Sequence, residues 1–554
     1  MSHLLAVSVG PVQEFIAAAR RTRDLWFGSR LLSEISRAVA KAIEGQGGRL
    51  VFPAHSGVDN VANVILAELG DSDPRDVAAK GKAAARIRWE QFAKEARGQV
   101  SGVIHSDIWN DQERDAIEFY AAWVPHTDPN TYQQDRARVM RLLAGRKNCR
   151  DFKQPGFNDA GLPKSSLDGQ RPTVLLGPKQ GERRETYRDN WPKQLRLSPG
   201  EQLDVIGVVK RIAEGHQPYP SVARVAAETW LWGVREKAPF EELRTACAAV
   251  TGLNKVAEPN YAYFPSEGTV IFKDRHADLI TELGEKVRAP LQRVAEVLNR
   301  LGGIPNPYLA VLVADGDSMG AKLSSITRAD EHREFSGKLA GFASAAKSVV
   351  ERHRGALIYA GGDDVLAVLP LHTCLPCARD LRKEFQTRTE MTLSVGVAIG
   401  HFMENLEDLL AYGRKAEKAA KGVAGKDALA VHLHKRGGSP VEHRARWDDS
   451  PDTRIRRFAD LIIEKRIPTK LPYELRVMAR LYENWPTDRA EAAISTDLVR
   501  LIAKKQSRGT ESVKATLGKD IEGMNAAKLL VFADEFLLAG HLADALRQAG
   551  EVAS

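Results

Sequence analysis

Three aspartates carry the most chemistry in this chain. Asp315 stands near the end of an apolar run, Leu309-Ala310-Val311-Leu312-Val313-Ala314-Asp315-Gly316-Asp317-Ser318-Met319-Gly320. Asp363 and Asp364 close the tetrad Gly361-Gly362-Asp363-Asp364, which lies between the apolar runs Ala356–Ala360 and Val365–Leu369. That pattern reads as the tip of a β-hairpin, where side chains are exposed and rigidly aimed. If the Asp315 strand lies beside the hairpin in one sheet, three carboxylates converge. Clustered carboxylates repel one another unless a hard cation such as Mg²⁺ or Mn²⁺ shares them. Two such ions holding a triphosphate and a ribose hydroxyl can drive in-line nucleotidyl transfer.

The elements around these residues support that convergence. After Asp315 the sequence predicts a helix from Glu334 to about Arg354, the hairpin, and a second helix from Thr373 to about Thr387. A strand over Met391–Ile399 follows, then a helix from Leu406 to about Ala420 and a short strand from Ala428 to Leu433. This is βαββαβ with one further α–β step, the order of a ferredoxin-like palm, and it makes the Asp315 strand central. A Gly-Gly-Asp-Asp tetrad alone is weak, because Gly and Asp are ordinary turn residues. A strand-terminal Asp 48 positions before Asp363, inside a palm order, makes it strong.

The N-terminus reads as a degenerate copy. Leu4–Val9 is a strand ending at Gly10-Pro11, followed by helices from Val12 to about Arg23 and from Leu31 to about Glu44. Arg49–Gly57 and Asn60–Ala67 then form a hairpin that lacks acids at its turn. A palm without carboxylates beside a palm with them implies a pseudo-dimer, one half holding metal and the other completing a nucleotide pocket.

Composition is that of a globular protein, 43% hydrophobic and 27% charged over 554 residues. No apolar run approaches the ~20 residues of a membrane span. Four cysteines give no disulfide framework, so a cytoplasmic protein with no membrane partner is expected. The net charge of +8 is partly local. One cluster is Arg136, Arg138, Arg141, Arg146, Lys147, Arg150 and Lys153; another is Arg20, Arg21, Arg23 and Arg30. Beside a nucleotidyl-transfer site they favour contact with nucleic-acid phosphates, and Arg136, Arg138, Arg141, Arg146 and Lys147 are the candidates for RNA.

A set of motifs in fixed order points to a family: Val9-Gly10-Pro11-Val12-Gln13-Glu14-Phe15, Arg20–Ser29, Lys164-Ser165-Ser166-Leu167-Asp168-Gly169, Ala314–Gly320 and the tetrad. From residue 1 to about 440 the chain resembles the large palm-containing subunit of type III CRISPR effector complexes, specifically the Cmr (III-B) branch. The resemblance implies two palms, one degenerate, in an α+β protein with a helical insert and a C-terminal helical bundle. It implies partners: other Cmr subunits, crRNA and target RNA. Target pairing would activate the synthesis of cyclic oligoadenylate from ATP for antiviral defence. Carried over, Asp315 and Asp364 are metal ligands, with Asp363 close by and the Gly316 carbonyl a further oxygen donor. Gly361 and Gly362 would let the backbone approach the phosphates; Asp317, Ser318 and Gly320 would face the triphosphate, and Lys426 would contact phosphate.

The chain departs from the family pattern in two ways. It has no His-Asp dipeptide and no room before the Leu4 strand for an HD nuclease, so DNA cleavage is not expected. Between the palms stand only Cys149 and Cys247, so zinc is not expected either. The Cys374-Leu375-Pro376-Cys377 pair starts a helix and reads as packing. The expected domains are a degenerate palm over 1–150, a mostly helical middle over 151–302, the catalytic palm over 303–438 and helices over 439–554. The alternatives are a free-standing nucleotide cyclase and a nucleotide-binding scaffold without catalysis.

Overall fold

The computed structural model describes residues 2–149, 161–177, 191, 192, 195, 197, 198, 200–215, 219–253, 255, 256, 259–504 and 517–551. Its first unit opens with strand β1 (His3–Gly10), buried from Leu4 onward, followed by helix α1 (Thr22–Glu44). The hairpin β2 (Arg49–Phe52) and β3 (Val64–Leu69), helix α2 (Pro74–Val100) and strand β4 (Glu118–Pro125) complete it. The antiparallel strand order is β2-β3-β1-β4. The two helices predicted before residue 44 are instead a short helix, Gln13–Ala17, and the long α1, which runs straight through Gly28. Gly28 serves packing here: a Cβ would come within 3.0 Å of Cε of the buried Lys210.

Helices α3 (Tyr132–Asn148), α4 (Val205–Ile212) and α5 (Val222–Val234) lead towards the second unit. That unit runs β5 (Tyr308–Gly316), α6 (Met319–Ser325), α7 (Ala329–Arg352), β6 (Ala356–Gly361), β7 (Asp364–Pro370), α8 (Cys374–Thr389) and β8 (Leu393–His401). Helix α9 (Leu406–Lys421) and strands β9 (Ala428–Leu433) and β10 (Val441–Arg446) extend it. The sheet order is β10-β9-β8-β5-β7-β6. Its core, β8-β5-β7-β6, repeats β4-β1-β3-β2, so each unit is a ferredoxin-like palm with its first strand central. Strand β10 corrects the expectation that residues from 439 onward are helical. Val441 and His443 are buried while Glu442 and Arg444 are exposed, a period of two that pairs antiparallel with β9.

The palms interlock reciprocally: α1 of the first packs on edge strand β6 of the second, and α7 of the second packs on edge strand β2 of the first. Leu4, Ala6, Leu66 and Val124 share one core with Phe335 and Leu339 of α7. Polar links cross the same junction. Tyr132 Oη and His332 Nδ1 are 2.6 Å apart, and Arg333 Nε donates to the Leu50 carbonyl at 2.7 Å.

The tail forms helices α10 (Pro451–Ile463), α11 (Leu471–Tyr482), α12 (Thr487–Lys504) and α13 (Ala526–Ala549). Phe458 stacks on Phe536 at 4.3 Å, so the apolar faces of these helices meet in a core. Helix α13 docks against α5 so closely that a Cβ at Gly233 would lie 1.8 Å from the Gln548 carbonyl. No described helix is long and apolar enough to cross a membrane.

Candidate functional site

Strand pairing and one tight turn assemble the carboxylates. Gly361 pairs with Asp364 across the β6–β7 hairpin, leaving Gly362 and Asp363 as the two central turn residues. Gly362 has φ of 79°, the positive value that the first central position of a II′ turn requires. Beside the tip, β5 ends one residue after Asp315, which lies opposite Ser394 of β8. The Gly316 N–H donates to the Asp363 carbonyl at 3.2 Å and ties the two elements together. Gly316 is forced by space as well, since a Cβ would sit 2.9 Å from Asp363 Cβ and 2.8 Å from Phe385 Cζ. Gly361 is covered by the phenol of Tyr359, which a Cβ there would strike.

The three acids repel, and the carboxyls of Asp363 and Asp364 are held above the usual carboxylate range. Burial in the cleft and the charge of Asp315 push Asp363 up to about 6, helped by a hydrogen bond between the two carboxyls. Asp364 is pushed up to about 7 by burial of its carboxyl, then by Asp315, Asp363 and Glu417, although the residue as a whole still meets solvent. One cation works against this repulsion. Lys421, on the last turn of α9, donates a hydrogen bond to Asp315 Oδ2 and lies 3.7 Å from Glu417 Oε1. Desolvation opposes its charge, but the bond to Asp315 and the charges of Asp315, Glu417 and Asp317 together outweigh that and raise its pKa. Sequence reading named Lys426 and missed Lys421; the available signal was the i,i+4 pair Glu417–Lys421 at a helix end just before the Lys426 loop.

The remaining predicted site residues divide into two groups. Ser318 and Gly320 are exposed, and Ser318 takes φ of 57° as it leads into α6. Lys426 Nζ is 3.5 Å from Ser318 Oγ, so both belong to one rim of the site. A Cβ on Gly320 would meet nothing, so this glycine is not demanded by space. Asp317 turns inward and is 3% exposed. Its carboxylate accepts from Ser394 Oγ and Thr392 Oγ1 at 2.8 Å and from the Asp427 N–H at 3.0 Å. Those contacts join the ends of β5 and β8 to the start of β9, so Asp317 braces the site and its oxygens are already occupied.

Among the described residues no group of three or more His, Cys, Asp or Glu side chains forms a ready metal cage. Asp315, Asp363 and Asp364 instead adjoin one another with an ammonium among them. That suits Mg²⁺, which is commonly held by one or two carboxylates together with substrate phosphates. The raised pKa values identify the charge that such an ion would relieve.

Beside this site a cavity of about 340 Å³ opens between the palms. It runs from Trp26 and Arg30 of α1, past Asn60 and Tyr219, to Tyr359 of β6. Of the RNA candidates, Arg138, Arg141, Arg146 and Lys147 are exposed along α3, whereas Arg136 is only 9% exposed and turns into the palm junction. Arg136 therefore has no surface to offer RNA; Arg150 and Lys153 lie outside the described residues. Cys374 and Cys377 are fully buried, and burial pushes the Cys374 thiol up to about 12, so both are packed thiols.

Known proteins are similar to this chain in sequence and in fold. A family model for the second palm domain of Cas10/Cmr2 matches residues 308–430, and one for the N-terminal region of the CRISPR-associated protein Cmr2 matches residues 4–109. The chain is similar to CRISPR system Cmr subunit Cmr2 of Pyrococcus furiosus, with 23% identity over 635 residues, covering 94% of this chain and 71% of that protein. It is also similar in fold to a chain of the type III-B Cmr-beta complex in its apo state, with TM-score 0.65, 14% identity, and coverage of 92% of this chain and 78% of that one. For Cmr-beta bound to cognate target RNA the values are 0.63, 15%, 92% and 79%.

Proposed function

Because the chain belongs to the Cas10/Cmr2 family of type III-B CRISPR effector subunits, we propose that its second palm joins ATP into cyclic oligoadenylate when target RNA pairs with the guide. The observation that carries this reading is the meeting of Asp315, Asp363, Asp364 and Lys421 at one end of the second sheet. A palm that served only as scaffold would have no need for three mutually repelling carboxylates, two of them with pKa values raised towards neutrality.

In this mechanism the ribose hydroxyl of one ATP attacks the α-phosphorus of the next. A phosphodiester forms, pyrophosphate leaves, and repetition followed by an intramolecular attack closes the ring. Two Mg²⁺ or Mn²⁺ ions held by Asp315, Asp363 and Asp364 would polarise the phosphate and activate the hydroxyl. Lys421 would leave Asp315 to such an ion and turn its ammonium to the triphosphate, and Lys426 would meet the outgoing phosphates from the rim. Gly362 keeps the hairpin tip free of a side chain where the nucleotide must approach. The degenerate palm contributes α1, whose Trp26 and Arg30 line the cavity beside β6 and form a wall for a base.

Guide and target RNA and the other Cmr subunits are the partners in this reading. The exposed Arg138, Arg141, Arg146 and Lys147 of α3 are the RNA-facing cations. Helix α3 also touches the site's rim, since Gln133 Nε2 donates to the Ser324 carbonyl of α6 at 2.6 Å. The deciding experiment supplies the reconstituted complex with ATP and Mg²⁺, with and without complementary RNA, and resolves the products by mass spectrometry. Cyclic oligoadenylates should form only with target RNA. Their absence from a complex shown to bind both RNAs would leave a nucleotide-binding scaffold.

A further inference from the structure

A second, larger cavity of about 580 Å³ lies at the other end of the second sheet from the carboxylates. It includes Phe402 to Glu407, which follow β8, and β8 ends opposite Tyr308 where β5 begins. Asp315 is seven residues further along β5, roughly 23 Å away at the rise of a strand. The cavity is therefore separate from the site of the proposed synthesis.

Two motifs that this synthesis does not use meet there. Arg20 comes from the segment leading into α1, and Ser166 from the segment Lys164–Gly169. The charges lining the cavity do not cancel. Glu201 is spent on the buried Arg211 at 2.7 Å, and Glu404 faces Arg436 at 3.7 Å. Glu267 accepts from Ser221 Oγ and from the Gly268 N–H. Glu407 stands exposed on the first turn of α9, and the donors to Glu267 are neutral, so two carboxylates line the cavity together with Arg20, Arg21, Arg23 and Lys255. Of these cations, Arg20 and Lys255 are exposed and have no acid partner among the described residues. The lining also has an apolar part, Val222, Val256, Leu406 and Phe402, whose ring stacks on Phe272 at 4.2 Å.

Exposed cations and apolar residues in one cavity match the two halves of a nucleotide. We propose that this cavity binds the terminal phosphate of a nucleotide, either the 5′ end of an RNA strand or a free mononucleotide. Arg20 and Lys255 neutralise the phosphate, and the base rests against the Phe402 wall. The cavity's volume is ample for one nucleotide.

The test uses the full chain carrying Asp363→Ala and Asp364→Ala, in EDTA, so that binding at the carboxylate site does not contribute. Two octamer RNAs with a 3′ fluorophore, one 5′-phosphorylated and one with a 5′ hydroxyl, are compared by fluorescence anisotropy, with AMP as competitor. The phosphorylated strand should bind about tenfold more tightly, the scale of one or two charge-assisted hydrogen bonds. That difference should vanish in Arg20→Ala/Lys255→Ala, and Arg20→Lys should restore part of it. Competition by AMP at low concentration identifies a free nucleotide as the occupant; AMP failing to displace the phosphorylated strand identifies the strand end. Equal affinity for the two strands without AMP binding, or a difference that survives both Arg20→Ala/Lys255→Ala and Arg20→Glu, would overturn the proposal. Circular dichroism checks that these surface variants fold.

Discussion

Lys421 and Asp315 form an ion pair that spans two elements of the second palm, the end of α9 reaching the end of β5. Among the described residues, the pair places the only ammonium bonded to a site carboxylate in the middle of three acids that repel one another. Without a metal, Lys421 relieves part of that repulsion; with a metal and a triphosphate, the same group is free to neutralise phosphate.

Lys421→Ala should therefore lower oligoadenylate synthesis by roughly 10²-fold, the scale of losing one preorganised electrostatic contact. Lys421→Arg, which keeps the charge but changes its reach, should retain part of the activity. The apparent affinity for Mg²⁺ separates the two roles of this residue. Because the alanine variant removes the competitor for Asp315, it should bind Mg²⁺ at least as well as wild type while turning over poorly. Weaker Mg²⁺ binding in Lys421→Ala would contradict the assignment.

Two glycines four positions apart make opposite predictions. Gly316→Ala drives a Cβ against Asp363 Cβ and Phe385 Cζ, so the hairpin tip must move away from β5. Synthesis should be lost, since misplacement by about 1 Å at a catalytic group costs on the order of 10²-fold. Gly320→Ala enters open space and should leave activity within about twofold, the range of a surface change. Equal effects at both positions, measured by product formation in the complex, would show that the Gly316 contact does not set the geometry.

Asp317 should behave as a structural residue. In Asp317→Asn the buried carboxylate that accepts three hydrogen bonds becomes a neutral amide, and Ser394 Oγ must turn from donor to acceptor to keep its bond. The expected cost is roughly 2–4 kcal/mol for disturbing a buried charged acceptor. Chemical denaturation should show that loss in the isolated chain, where no ATP is present. Unchanged stability with lost synthesis would move Asp317 into the nucleotide site after all.

How much of this was legible in sequence follows the range of each interaction. The hairpin tip and the strand before Asp315 are local features, written in turn chemistry and apolar runs, and both palms follow from element order. Lys421 is different. Its contact with Asp315 depends on how α9 seats on the sheet, and that is set by Gly413, where a Cβ would fall 2.9 Å from Val311 and Val313. Nothing near Lys421 in sequence encodes that distance. Arg136 fails for the same reason: a basic run on a helix does not reveal which turn faces the other palm. The single long α1 was missed because one contact that fixes it, between Gly28 and Lys210, spans 182 positions.

The palm junction should loosen in acid, and the sign follows from His332. This imidazole lies between Phe52 and Tyr132, and burial, with Arg136 and Arg333 nearby, pushes its pKa down to about 4. In the unfolded chain it titrates near the ordinary value of about 6.5. Above pH 6.5 both states are neutral and the junction has its full stability. Between 6.5 and 4 the unfolded chain takes up a proton that the folded chain refuses, so stability falls with pH by up to about 3 kcal/mol from this group. His443 and His541, also pushed down to about 4, add slopes of the same sign. The unfolding free energy measured from pH 7 to pH 4 should therefore decline, and His332→Phe should decline less steeply even if it starts lower. A variant with the wild-type slope would mean that His332 is protonated in the folded junction, with Tyr132 Oη accepting its hydrogen bond.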